Sequence, residues 1–260
     1  MRNRARRLLS NMTGRGVRRA QLMLWAALAL FAPHSSVGQT TQAWLSAPLK
    51  SARYVEPTTR YQHGVLGDAI EHGALELRYD GGNKPHLIRL PETRVFEDTE
   101  PRMVDVDGDG QREVVVVESH QNQGARLAIY NGAGLIAATP YIGQRNRWLA
   151  PVGVADLDGD GLIELAYVDR PHLAKILRVW RFEEGELTQI SALDGVSNHR
   201  IGERNIAGGL RDCGSGPEMI VARADWQRLM AVTFDGSALT AREIGPHKGR
   251  ASFADALACK

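Results

Sequence analysis

The sequence predicts an all-β fold assembled from repeated four-stranded sheets. Three observations lead there. The chain carries 27 glycines among 260 residues, only 6% aromatics, and no collagen period, a composition suited to many turns and short strands. Two segments align without a gap. An apolar, β-prone run ending in an aromatic residue and a turn signal recurs downstream of each.

The aligned segments share D-x-D-G-D-G-x-x-E followed by an apolar run. One is Asp105 to Glu113, followed by Val114–Val117; the other is Asp156 to Glu164, followed by Leu165–Val168. A third, eroded copy runs from Leu210 to Glu218, and a fainter one from Asp68 to Glu76. The terminal glutamates lie 37, 51 and 54 residues apart. The second landmark is Leu127–Tyr130 before Asn131-Gly132, Leu177–Phe182 before Glu183-Glu184-Gly185, and Leu229–Phe234 before Asp235-Gly236. Asn-Gly and Asp-Gly are strong hairpin signals. Each repeat therefore reads strand, acidic loop, strand, longer loop, strand, turn, strand. In the third copy the strands are expected near 205–210, 218–223, 228–234 and 238–244. Four antiparallel strands about every 50 residues is the period of a propeller blade. The expectation is a β-propeller-like array of about four blades, with repeats near 61–100, 101–148, 149–200 and 201–250. Residues 39–60 form an N-terminal segment able to supply a closing strand, or with the C-terminus a fifth blade. Residues 251–258 are expected as a short terminal helix or strand.

The first 38 residues read as an export signal. They hold seven arginines and no acid, then the 11-residue apolar run Leu22–Ala32. That run is too short for the roughly 20 residues that cross a bilayer and matches a signal-peptide core. Small residues at Ser36 and Gly38 place cleavage near Gly38, and the chain is expected in the periplasm or secreted, with no membrane span once cleaved. The remainder has 25 basic against 30 acidic residues. A net charge of −5 there argues against nucleic acid as a partner. The two cysteines, Cys213 and Cys259, are 46 positions apart and are disulfide candidates in an oxidising compartment.

Three aspartates at alternate positions bring carboxylates to one point, and Gly110 and Gly161 allow the bend. An all-oxygen set suits a hard cation, and calcium tolerates its irregular angles better than magnesium. An EF-hand would need a bidentate Glu at position 12 and flanking helices; here that position is Val116 or Tyr167, the flanks are strand-like, and the acid stands at position 9.

Asp105-Val-Asp-Gly-Asp-Gly-Gln-Arg-Glu113 and Asp156-Leu-Asp-Gly-Asp-Gly-Leu-Ile-Glu164, between strands and at blade spacing, resemble the FG-GAP/VCBS repeats of integrin-α-type β-propellers. The resemblance covers roughly residues 60–245. It implies about two calcium ions, each bound by the loop joining a blade's first two strands. Asp105, Asp107, Asp109 and Glu113 would supply side-chain oxygens and Gln111 a carbonyl; the second set is Asp156, Asp158, Asp160, Glu164 and the Leu162 carbonyl. That family more often has Asp at the ninth position and about seven blades, so a four-blade ring is small, incomplete, or completed by another copy. In the third repeat Leu210, Asp212 and Gly214 replace the aspartates, and no metal is expected there.

No HExxH, HxH or G-x-S-x-G occurs, and the eight histidines are expected on the surface or in loops. Trp148, Trp180 and Trp226 are expected as core between blades, with a sugar-binding platform as the alternative. The expected function is an exported, calcium-stabilised, non-catalytic repeat protein presenting a protein- or glycan-binding surface. The alternative is an extracytoplasmic hydrolase or lyase on the same blades, recognisable by histidines and acids converging at the hub.

Overall fold

The computed structural model describes residues 47–260. The expected export signal, its cleavage site near Gly38 and residues 39–46 lie outside the described residues. Within them the fold is all-β and propeller-like, with one short helix.

Four units follow one another. The first pairs β1 (Leu49–Thr58) with β2 (Glu71–Tyr79) and β2 with β3 (His86–Arg89). The second opens on a broken strand, β4 (Arg94–Phe96) and β5 (Arg102–Val104), laid along β6 (Glu113–His120), and continues through β7 (Gly124–Asn131) and β8 (Gly134–Ala138). The third is the meander β9 (Leu149–Ala155), β10 (Ile163–Asp169), β11 (Ile176–Glu183) and β12 (Glu186–Asp194). The fourth again breaks its opening strand, into β13 (Val196–Ser197) and β14 (Gly209–Asp212), both along β15 (Pro217–Arg223), then adds β16 (Arg228–Phe234) and β17 (Leu239–Pro246). Helix α1 (Arg250–Leu257) ends the chain. All pairings are antiparallel. Because β4 also pairs with β2, the first two units share one continuous sheet.

Strand alternation explains how the units stack. The run Val114–Val117 is buried throughout, as befits a strand covered on both faces. Val114 and Val116, with Ala128 and Tyr130, face Leu75 and Leu77 of the first unit. Val115 and Val117, with Leu127 and Ile129, face Leu165, Tyr167 and Phe182 of the third. The third unit's other face, Ala166, Val168, Leu177 and Val179, meets Met219, Val221, Val232 and Phe234 of the fourth. Each such Val or Leu contributes about 1.5–3 kcal/mol by leaving water. Beyond the fourth unit α1 takes the place of a next blade: Phe253 and Ala256 cover Ile220, Ala222, Leu229 and Ala231. The fourth strands β12 and β17 are exposed edges.

The first strands of the second, third and fourth units lie side by side, with β9 beside β5 on one side and β14 and β15 on the other. Gly153 makes the closeness possible, since a Cβ there would stand 2.3 Å from Cγ of Leu210. Residues 59–70, between β1 and β2, reach the fourth unit, where the Gly202 amide donates to the Val65 carbonyl at 3.1 Å.

Candidate metal centres

Both D-x-D-G-D-G loops join a unit's first strand to its second, β5 to β6 and β9 to β10. Their internal hydrogen bonds are the same. Asp105 Oδ1 and Oδ2 accept from the amides of Gly108 and Gly110 at 2.8 and 3.0 Å; Asp156 does so from Gly159 and Gly161 at 2.7 and 3.0 Å. Asp107 Oδ1 takes the Asp109 amide and Asp158 Oδ1 the Asp160 amide, both at 3.2 Å. Glu113 Oε2 closes the first loop on the Val106 amide at 3.0 Å, and Glu164 Oε2 the second on the Leu157 amide at 2.8 Å. Gly110 and Gly161 carry φ of 85° and 90°, a left-handed bend that glycine adopts without a Cβ penalty.

The structure brings together Asp105, Asp107 and Glu113 in one loop and Asp156, Asp158 and Glu164 in the other. Within each trio the ligating oxygens lie within 4.8 Å of one another. Asp109 and Asp160 stand outside these trios, each accepting the amide of the next expected ligand, Gln111 at 2.6 Å and Leu162 at 2.8 Å. Residues 105–167 match the FG-GAP-like repeat. That stretch holds both acidic loops. No curated protein matches the chain. Among solved structures, an exotype rhamnogalacturonan lyase, YesX, aligns at 18% identity and a TM-score of 0.43, over 69% of this chain. The chain spans about 35% of that lyase's length.

The two loops of the FG-GAP-like stretch differ in charge balance. In the second, Arg181 of β11 donates from Nε to Glu164 Oε1 at 2.7 Å and from Nη2 to Asp158 Oδ2 at 2.6 Å, and Nη2 lies 3.0 Å from Asp160 Oδ2. Among the described residues no arginine, lysine or histidine pairs with Asp105, Asp107, Asp109 or Glu113. Burial, followed by the neighbouring aspartates, pushes the Glu113 carboxyl up to about 7 even though the Val106 amide opposes it. Burial also raises Glu164, and there Arg181 and the Leu157 amide oppose the rise. The first loop's donor set, all oxygen and without a basic partner, fits a hard divalent cation. The second offers the same oxygens with a guanidinium already on them.

Each acidic loop stands at a seam. Asp105 and Asp107 share a depression of about 350 Å³ with Leu162 of the second loop and with Phe182 and Glu183 at the turn of the third unit. The second loop meets the fourth unit's turn: a Cβ on Gly236 would stand 3.0 Å from Asp158 Oδ2. In the eroded third copy Asp212 alone shapes the bend, accepting from Gly214 and Gly216 at 2.7 and 3.1 Å. There Cys213 is bonded to Cys259.

Sequence reasoning missed a buried polar hub to which all four units contribute. Glu97, at the break between β4 and β5, is fully buried. Its carboxylate takes His63 Nδ1 at 2.6 Å and the Ser119 hydroxyl, and its carbonyl accepts from Trp148 Nε1 at 2.9 Å. Trp148 lies against His172 and His199. His172 Nε2 and His199 Nδ1 are 3.0 Å apart, and His199 Nε2 donates to the Glu203 carbonyl at 2.8 Å. Burial first, then His199 and His63, lower His172 to about 4; burial first, then Glu97, raises Glu71 to about 9. His199 does lie in a loop, between β13 and β14, as expected of the histidines, but it is not at the surface, being 1% exposed. No local motif announces it, because the partners come from segments far apart in sequence, most of them loops. Trp180 Nε1 donates to the Tyr167 hydroxyl at 3.1 Å, and Trp226 packs on Phe253 beneath the Arg200 guanidinium. Trp148 and Trp180 belong to the core cluster between the second and third units, and Trp226 packs in the cluster beneath α1.

Proposed function

We propose that this chain is an exported, calcium-stabilised, non-catalytic propeller-like protein that presents a binding surface for a protein or glycan. The observation that carries the reading is Glu113. It is 3% exposed, sits with Asp105 and Asp107 at ligating separation, and has no basic partner among the described residues. A buried carboxylate set beside two more carboxylates without counter-charge is costly, and a divalent cation would supply that charge. Calcium suits the irregular all-oxygen set. The cation's role is to pin the loop between two strands at the seam with the next unit, which leaves other loops for recognition. Export is supported by the Cys213–Cys259 disulfide, a bond of oxidising compartments. Among the described residues no helix is long and apolar enough to cross a membrane.

The test is a thermal melt with calcium, with magnesium and with chelator, on wild type and Asp107→Ala. At a dissociation constant of about 10⁻⁴ M, about 1 mM calcium adds roughly 1.4 kcal/mol per site, or about 3–5 °C for a domain of this size. Magnesium should give less, and Asp107→Ala should lose most of the calcium shift. Equal melting temperatures under all conditions remove the metal.

One observation favours a second reading, an extracytoplasmic enzyme: the His63–Glu97–Ser119 chain at the hub. Stability separates the two. A structural network loses about 1–3 kcal/mol when Ser119→Ala leaves a buried acceptor unmet, whereas removing a catalytic group is commonly neutral or stabilising.

A further inference from the structure

The glutamate that closes each repeat occurs four times, as Glu76, Glu113, Glu164 and Glu218, and every one is 6% exposed or less. Three have guanidinium partners. Glu76 accepts from Arg53 at 2.8 and 3.1 Å and from Arg78 at 2.9 Å. Glu218 accepts from Arg211 at 2.8 Å and Arg242 at 2.5 Å. Glu164 has Arg181, and the same guanidinium reaches Asp158 and Asp160. One side chain therefore touches three of the second loop's four acids. The ladder explains the difference between the loops: Arg181 lies directly opposite Glu164. Carrying the Val114–Tyr130 register one step further puts Asn131 opposite Glu113. Asn131 brings no charge, and its Oδ1 is engaged with the Ala133 amide at 2.8 Å.

We infer that Arg181 is a built-in counter-ion of the second acidic loop, competing with a divalent cation for the same carboxylates, so that the two loops differ in kind. The first depends on a cation; the second is closed by protein charge. This rests on the calcium reading of the first loop. A cation entering the second loop must strip a planar guanidinium from three carboxylates, and such charge-assisted contacts are the strong ones. If Arg181 stayed, its positive charge would remain beside the ion. Affinity in oxygen sites follows the charge of the ligand set. The expected pattern is one calcium bound well and a second bound at least about tenfold more weakly. The seam between the second and third units then responds to calcium, and the seam between the third and fourth does not.

The experiment is a calorimetric calcium titration of the chelator-treated chain, in wild type, Arg181→Gln and Asn131→Arg, with amide exchange followed in both loops. Wild type should show one strong site, and calcium should slow exchange over 105–113 while leaving 156–164 unchanged. Arg181→Gln should gain a second site of similar affinity. Asn131→Arg should weaken the first site at least about tenfold, and it tests the same idea in a chain whose second loop is untouched. Two equal sites in wild type, or an Arg181→Gln isotherm like wild type, would overturn the inference and leave the calcium reading standing. No binding in wild type or in Arg181→Gln would overturn both.

Discussion

His172 shows how one buried side chain couples folding to acidity. Its imidazole is held neutral because burial, with His199 and His63 nearby, lowers it to about 4, against an ordinary value near 6.5. The unfolded chain therefore binds a proton between about pH 6.5 and 4 that the folded chain refuses. Stability is full above the unfolded value and falls as the pH drops through that window. For this partly buried ring the loss is on the order of 2 kcal/mol. Melting curves from pH 7.5 to 4 should drop less steeply for His172→Gln than for wild type; parallel profiles would show that the hub does not sense acid. Residue-scale features divide by reach. The Asp105 and Asp156 bends were legible, because each carboxylate bonds amides three and five positions ahead. His172 was not, because its partner His199 is 27 residues away.

At the scale of elements, α1 is held by contacts with other elements. It has eight residues, no side-chain N-cap, no acid in its first turn and no base in its last. A helix so short is marginal in water. What holds it is Phe253 and Ala256 on the fourth sheet, the Arg211 donation to the Ala256 carbonyl at 2.6 Å, and the disulfide to Cys213 just after β14. Cys213→Ser with Cys259→Ser should cost about 2–4 kcal/mol by loop entropy, and limited proteolysis should then cut first between 247 and 260. Unchanged melting and an unchanged digest would mean that Phe253 packing suffices. The second and third strands of the repeats were readable from their β-branched and aromatic runs. The first strands were less so: β4 with β5, and β13 with β14, are each one strand interrupted by the residues that build the hub. Their breaks follow from tertiary contacts, since Glu97 and His199 must turn inward there.

Across the whole molecule, units are stacked face to face and the last face is closed by a helix. Phe253→Asp should uncover Ile220, Leu229 and Ala231. The expected result is a loss of about 3–5 kcal/mol with concentration-dependent self-association in sedimentation velocity, because an unpaired sheet face is a docking surface. Sedimentation identical to wild type at every concentration would show that α1 is not the cap. By itself the sequence determined the all-β class, the repeat of strand, acidic loop, strand, turn and strand, and the two acidic bends. Those features are made by residues within a few positions of one another, and local pattern is enough to specify them. Only the tertiary structure decided which buried glutamate has an arginine and which has none, how β4 joins two units in one sheet, and that histidines from three units meet at the centre. Charge compensation and burial depend on distances in space, and a ladder or a seam can set residue 181 against residue 158 as firmly as against its neighbour in the chain.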